Sequence, residues 1–232
     1  LIFLDDHTNW LVCSICDMEI SGMSTIASAK TKILEAALSL FRAKGYAATS
    51  VDDLCRQAGV TKGAFFHHFR SKEELAVAAA QFWSETTSAL FASAPYHQYP
   101  DPRDRIMGYL DFRRAIMDGE LPEITCLAGT MVQECYATHP AIRLACDASI
   151  SAHANTLAAD IAEAMKARGS QFDFDPASLA LFTQAVLQGA FILAKAKNSP
   201  EMAAQCIDHL RRYFEFLFAN GRKRKPQSSA SL

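Results

Sequence analysis

The sequence predicts an all-α protein in which a three-helix N-terminal head is followed by a larger helical bundle. Three observations carry that prediction. Apolar residues recur at helical spacing in each segment between residues 29 and 220. No apolar–polar alternation bounded by hairpin turns appears anywhere. Several periodic segments open with proline, which suits a first helical turn.

Taken in order, Ile33, Ala37, Leu40 and Phe41 give the stretch 29–44 a helical apolar face, and Gly45 ends it. Leu54 and Ala58 form the seam of a second, shorter helix. Gly59 then permits a tight turn, Val60 plugs the core beside it, and Thr61 caps a third helix over about 62–69. Ser71 with Glu74 three residues on has the spacing of a capping box. It starts a long helix over 72–93 through Leu75, Ala79, Phe82, Trp83, Thr86 and Leu90. Ala94-Pro95 and Pro100-Asp101-Pro102 punctuate a loop. Five further helices are expected over 102–117, 124–137, 140–168, 176–197 and 200–220, with no internal repeat. The division that follows is a head at 24–71 and a body at 72–221. Residues 1–22 contain no Lys or Arg, so they make a poor signal peptide. They read as a loosely ordered leader foreign to the fold, with Met23 the first plausible start. Residues 222–232 read as a basic, Ser-rich disordered tail.

With 232 residues, half of them apolar and 21% charged, the chain has the makings of a folded globule of one or two domains. No run of about 18 apolar residues is seen, so no membrane span is expected. The net charge of −2 hides an asymmetry. Residues 24–72 carry eight Lys/Arg against three acids, whereas residues 73–221 carry eleven basic and eighteen acidic side chains. A basic head on an acidic body suits a protein that meets a polyanion with one end only. The seven cysteines are scattered and odd in number, which is no disulfide framework and points to a reducing cytoplasm.

The most informative stretch is TSVDDLCRQAGVTKGAFFHHFRSKEEL, residues 49–75. Its third helix carries Lys62, His67 and His68 and almost no acid. A short polar helix held rigidly by its neighbour, with a cation at its entrance, is what the major groove of DNA accepts. Over residues 29–76 the sequence resembles the TetR family of bacterial transcription regulators. The family pattern is roughly T-[TS]-V-x-x-[IL]-A-x-x-A-G-V-[ST]-x-G-x-[FL]-Y-x-[HY]-F-x-[SN]-K-x-x-L. The resemblance implies a homodimer that binds an operator in double-stranded DNA through its heads and a small effector in its body, most often as a repressor. It places Lys62 and Ala64 against base edges or the groove floor. It sets Thr49, Ser50, Thr61, His67, His68 and Lys72 on phosphate or flanking bases, and gives Gly63 the close backbone approach. Phe66 stands at the family's usual Tyr position, so a hydroxyl is missing there, a loss of about 0.5–1.5 kcal/mol. Cys55 replaces a common Ala, which changes little beyond local volume.

Other residues are weighed against plainer roles. Phe65 and Phe69 read as core anchors beneath the third helix. His67 and His68 are adjacent on a helix and diverge by about 100°, which makes a poor metal pair. Cys13-x-x-Cys16 has redox or metal spacing but lacks a second pair. Cys126 falls at the start of a helix, where the dipole attracts negative charge. Some TetR-like regulators use a Cys near this place to sense electrophiles or oxidants; the plain alternative is a small core residue. Trp83, Tyr109, Phe112, Cys126, Met131, Tyr136, His153 and Phe182, with Met117 and Cys135, are candidate liners of a ligand pocket, since their polar tips need partners if buried. Leu179, Val186, Gly189, Leu193, Leu210, Tyr213, Phe214 and Leu217 are candidates for a four-helix dimer interface of the family's kind. No catalytic, metal or cofactor-binding spacing is present, and no enzyme is expected. The rival reading is a helical redox- or small-molecule-responsive sensor whose DNA head is vestigial.

Overall fold

Each helix starts and stops on chemistry the local sequence supplies. The computed structural model describes residues 28–167, 172 and 174–219. Helix α1 spans Ala29–Lys44, begins where Ser28 Oγ accepts from Thr31 N–H, and stops at Gly45, whose φ of 87° suits glycine. Helix α2, Val51–Ala58, opens with a full capping box: Ser50 Oγ takes the Asp53 N–H while the Asp53 carboxylate takes the Ser50 N–H. Gly59 then adopts a left-handed conformation, and Thr61 Oγ1 caps α3, Lys62–His68, by accepting from Ala64 N–H at 3.1 Å. Helix α4, Lys72–Ala92, starts with Ser71 Oγ on Glu74 N–H. The expected reciprocal bond is displaced by one residue, because the Glu74 carboxylate accepts from Arg70 N–H at 2.8 Å.

A 3-10 turn at Pro95–Gln98 occupies part of the predicted loop and leads to α5, Pro102–Ala115. The helix expected over 124–137 is shorter, running 127–135, and a short helix not foreseen precedes it. Helix α6 is Leu121–Ile124 and α7 is Leu127–Cys135. Thr125 and Cys126 between them are extended, and Cys126 Sγ accepts from Gly129 N–H at 3.4 Å as the cap of α7. Helices α8, Pro140–Ala167, α9, Pro176–Lys197, and α10, Pro200–Ala219, complete the body. The leader with Cys13, Cys16 and Met23, and the basic tail, lie outside the described residues.

Helices α1–α3 pack around the first half of α4, with Ile33, Phe41, Leu54, Phe65 and Leu75 fully buried. That core does not stop at the expected division at residue 72. It continues without a break into Leu127, Met131, Ile142 and Cys146 of α7 and α8. A second core joins α5, α8, α9 and α10, and a third joins α6, α9 and α10. Polar contacts lock the head onto the body. Glu134 of α7 accepts from Ala47 N–H at 2.8 Å, and its carboxylate fills the space a Cβ at Gly45 would need. Lys195 of α9 donates to Arg42 O at 3.1 Å and to Thr130 Oγ1 at 3.0 Å. Burial, with Arg42 nearby, holds its ammonium below the ordinary lysine pKa.

Contrary to the reading that no segment is apolar enough to span a membrane, α9 passes that test by length and composition. Its apolarity has another cause, because it packs on both α8 and α10 and presents further apolar residues outward.

Candidate functional site

Two places in the structure collect the predicted functional residues, a face of the head and a cavity at the junction of head and body. On the first, Phe65 and Phe69 anchor α3 in the core, leaving its other side outward. Ser50, Thr61, Lys62, Gly63, Phe66 and His67 are exposed there, with Ala64 and His68 half-buried. Phe66 is 53% exposed, its ring edge-on to Phe65 at 5.1 Å. A Cβ at Gly63 would meet only Thr61 Oγ1 at 3.7 Å, so no internal packing demands glycine. The space beside it is open for an external partner. Lys62 pairs with Asp52 at 2.7 Å, with both side chains exposed, and the hydrogen bond to Asp52 raises its pKa. Such a pair is worth little in water and exchanges readily for phosphate or a base edge. Asp53 is tied up by Lys44 and Ser50, which hold its carboxyl well below the usual carboxylate range.

Two of the expected DNA contacts are placed otherwise. Thr49 is 0% exposed, and its hydroxyl donates to Gly45 O at 2.7 Å, closing the connection between α1 and α2. Lys72 turns inward, its Nζ donating to Tyr46 O and Thr49 O at 2.9 Å each and lying 4.2 Å from the Tyr46 ring centroid. Burial lowers its pKa. Both residues brace the frame that presents α3.

The second place is a cavity of about 200 Å³, walled by α1, α4, α5, α6, α8 and α9. Of the predicted liners, Trp83, Met117, Cys126 and His153 reach it. Tyr109 stands behind it, its hydroxyl 3.0 Å from His153 Nε2. Phe112 packs into the second core instead, and Met131 and Cys135 are buried in the first. Tyr136 is 65% exposed at the end of α7, and Phe182 faces outward on α9. Their periodicity marked them as apolar but not which neighbour would cover them. Sequence reasoning missed the polar liners Arg42, Arg113, Gln184 and Gln188. Polar residues inside the apolar stripes of α5 and α9 were the available signal. Burial, helped by the positive charge of Arg113, pushes the His153 pKa down to about 3, so its imidazole is neutral.

The dimer candidates divide in the same way. Leu179, Leu210 and Phe214 are buried within the chain, while Val186, Gly189 and Leu217 are partly covered. Leu193 and Tyr213 are exposed, together with Leu181, Phe182, Ile192 and Phe216, which were not predicted for this face. The Phe182 and Tyr213 rings lie 5.4 Å apart, joining α9 and α10 into one apolar surface. A Cβ at Gly189 would meet nothing within 4 Å, so the surface there is open.

Comparison with known proteins agrees with this architecture. The family described as "Bacterial regulatory proteins, tetR family" matches residues 33–79, and "Tetracyclin repressor-like, C-terminal domain" matches residues 102–210. Over 180 residues the chain is 25% identical to the transcriptional regulator AcuR of Cereibacter sphaeroides, covering 78% of this chain and 82% of AcuR. Over 54 residues it is 39% identical to the uncharacterized HTH-type transcriptional regulator YerO of Bacillus subtilis, covering 23% of this chain and 19% of YerO. That match thus spans about a fifth of YerO. Among solved structures, regulatory protein TetR from Rhodobacter sphaeroides superposes with a TM-score of 0.71 at 25% identity, covering 81% of this chain and 99% of that one. Reduced NemR of E. coli shares the fold at a TM-score of 0.67 and 22% identity, covering 80% of this chain and 96% of NemR. With the helix–turn–helix, the capped entrance of α3 and the helical body all in place, the chain belongs to the TetR family of bacterial transcriptional regulators.

Proposed function

We propose that the protein is a cytoplasmic homodimeric repressor that binds a DNA operator through α3 and releases it when a small effector fills the cavity. The observation that carries the effector step is the make-up of the cavity wall. Leu38 and Arg42 come from α1 of the head, while Trp83, Thr87 and Leu90 come from the far half of α4, the helix that α3 leads into. A ligand that rearranges this wall acts on the posture of the head directly. It shifts the DNA-binding equilibrium only by its difference in affinity between the two postures. The exposed apolar face of α9 and α10 supports the dimer, because exposed residues of that size on adjacent helices form a contiguous patch that water does not solvate well. Two heads on a twofold axis then meet two half-sites.

The test is binding to duplex DNA from the chain's own upstream region, followed by anisotropy against a random duplex of the same length. A preference of about 10³-fold or more supports operator recognition. Equal affinity for both duplexes overturns it and favours the sensor with a vestigial head.

A second reading of the cavity rests on Cys126, whose Sγ caps α7 and which lines the cavity wall. An electrophile entering the cavity meets this thiol, whereas burial raises the pKa of Cys135 and pushes that of Cys146 up to about 12. Cys126→Ser keeps operator binding and blunts release by electrophiles if the thiol is the sensor. A variant that responds as the parent does returns Cys126 to a structural role.

A further inference from the structure

The polar groups around the cavity are unbalanced, and the imbalance points to a ligand class. Arg113 enters from α5, its guanidinium 4.3 Å from the Phe91 ring centroid. Its Nη2 lies 2.8 Å from His153 Nε2 and its Nε donates to the Tyr109 hydroxyl at 3.2 Å. None of these neighbours is an anion, and no described carboxylate forms an ion pair with Arg113. His153 stays neutral beside it, so the charge at this place is that of the guanidinium. Cation–π contact offsets part of the cost of taking an arginine out of water, but a cation in an apolar enclosure ordinarily has a counter-charge.

Gln184 of α9 adds a second, independent sign. It is 5% exposed and lines the same cavity, and its Nε2 is buried without a hydrogen-bond partner among the described residues. A buried amide donor left unmade costs free energy that a bound acceptor recovers. The acid in the cavity lining, Glu123, does not answer either need, because its carboxylate accepts from Glu120 N–H at 3.1 Å as the cap of α6. The rest of the wall sets Arg42, Thr87, Ser149 and Gln188 among apolar and aromatic side chains that include Trp83, Phe91 and Phe191.

We infer that the cavity binds a small organic monoanion, a carboxylate on an apolar body, with the carboxylate received by Arg113 and the Gln184 amide and the body held among the aromatic walls. The inference rests on the reading of this cavity as the effector site and names the chemistry of its occupant. Charge-assisted bonds to arginine favour the ionised acid over its neutral isostere, while the wall chemistry selects for apolar bulk of limited size.

The test uses the full chain and four pairs of probes: butyrate, hexanoate, benzoate and trans-cinnamate, each against its primary amide. Calorimetry is expected to show at least one carboxylate bound about tenfold or more tightly than its amide. Arg113→Gln is expected to remove that preference and Arg113→Lys to restore part of it. Gln184→Leu, which keeps the charge and deletes the donor, is expected to weaken the carboxylate more than the amide, and it serves if Arg113→Gln does not fold. Equal binding of each acid and its amide overturns the inference, as does a preference that survives Arg113→Gln, or no binding of any probe at millimolar concentration. Operator release is measured in parallel. Carboxylate-selective binding that leaves operator affinity unchanged keeps this site and overturns the effector reading. Release by the amides as effectively as by the acids does the reverse.

Discussion

Lys72 offers the sharpest separation between what the sequence suggests and what the structure does with a residue. By position it belongs on a phosphate, yet its ammonium donates to Tyr46 O and Thr49 O at 2.9 Å and packs on the Tyr46 ring. Lys72→Met keeps most of the stem and removes the charge, leaving both carbonyls without these donors. Two charged hydrogen bonds at about 1.5–3 kcal/mol each set the upper range, and the ammonium's own desolvation offsets part of it. The expected loss is about 2–4 kcal/mol, which lowers the unfolding midpoint by roughly 4–16 °C for a chain of this length. Thermal unfolding and salt-dependent anisotropy on the same preparation decide the matter. The bracing role expects a lower midpoint and, at a temperature where the variant is folded, an unchanged slope of log K against log salt. A phosphate contact expects the reverse, with the slope smaller by about 1 and stability intact. That second outcome refutes the reasoning.

The other predictions concern the face, the interface and the cavity. Lys62→Ala is expected to cost about 1–3 kcal/mol on the operator and much less on random DNA; an equal loss on both reduces Lys62 to a phosphate contact. Leu193→Asp or Phe216→Asp puts a charge into the exposed apolar face, and sedimentation is expected to show monomers that no longer bind operator. A parent protein that is monomeric at micromolar concentration removes the interface altogether. His153 is neutral in the folded chain down to about pH 3, whereas its unfolded value is the ordinary 6.5. The unfolded state therefore takes up the proton first as pH falls, and stability drops from about pH 6.5 towards 3 by at most ~1.4 kcal/mol per pH unit. Urea unfolding at pH 7 and 5 is expected to show this drop, and His153→Gln to shrink it; parallel pH profiles for parent and variant refute the assignment.

How much was legible follows from the range of the interactions involved. Helix ends depend on neighbours three or four residues away, so Gly45, Gly59, Thr61 and Ser71 could be read directly, and α1 and α9 match their predicted limits. The start of α7 falls three residues later than expected, because Thr125 is extended and Cys126 is the cap; a thiol is a weak acceptor that sequence rules do not count. The face of α3 was legible because Phe65 and Phe69 fix its rotation. The polar liners of the cavity were not, since Arg113 and Gln184 acquire meaning only when α5, α8 and α9 converge. On α9 and α10 the apolar residues were visible but covered more than one side. Periodicity alone does not say which side a neighbouring helix already covers.

Contacts at the cavity wall continue along α1 towards the start of α4. The Arg42 guanidinium donates to Glu123 O at 2.8 Å and lies 5.0 Å from the Trp83 ring centroid, while the Arg42 carbonyl accepts from Lys195. Three residues on, Gly45 is pressed against Glu134, and its carbonyl receives the Thr49 hydroxyl. Tyr46 and Thr49 in turn hold Lys72 at the start of α4, beside the end of α3. The carbonyls of Arg42, Gly45, Tyr46 and Thr49, which lie between the cavity wall and the start of α4, each accept a side-chain hydrogen bond. Within the proposed mechanism, an effector that competes for Arg42 or displaces Trp83 acts on contacts that tie the head to the cavity wall. Differential affinity requires such contacts, and about 1.4 kcal/mol of it shifts the operator equilibrium tenfold. An occupant that fills the cavity without disturbing Arg42 binds both postures alike and leaves the protein on DNA.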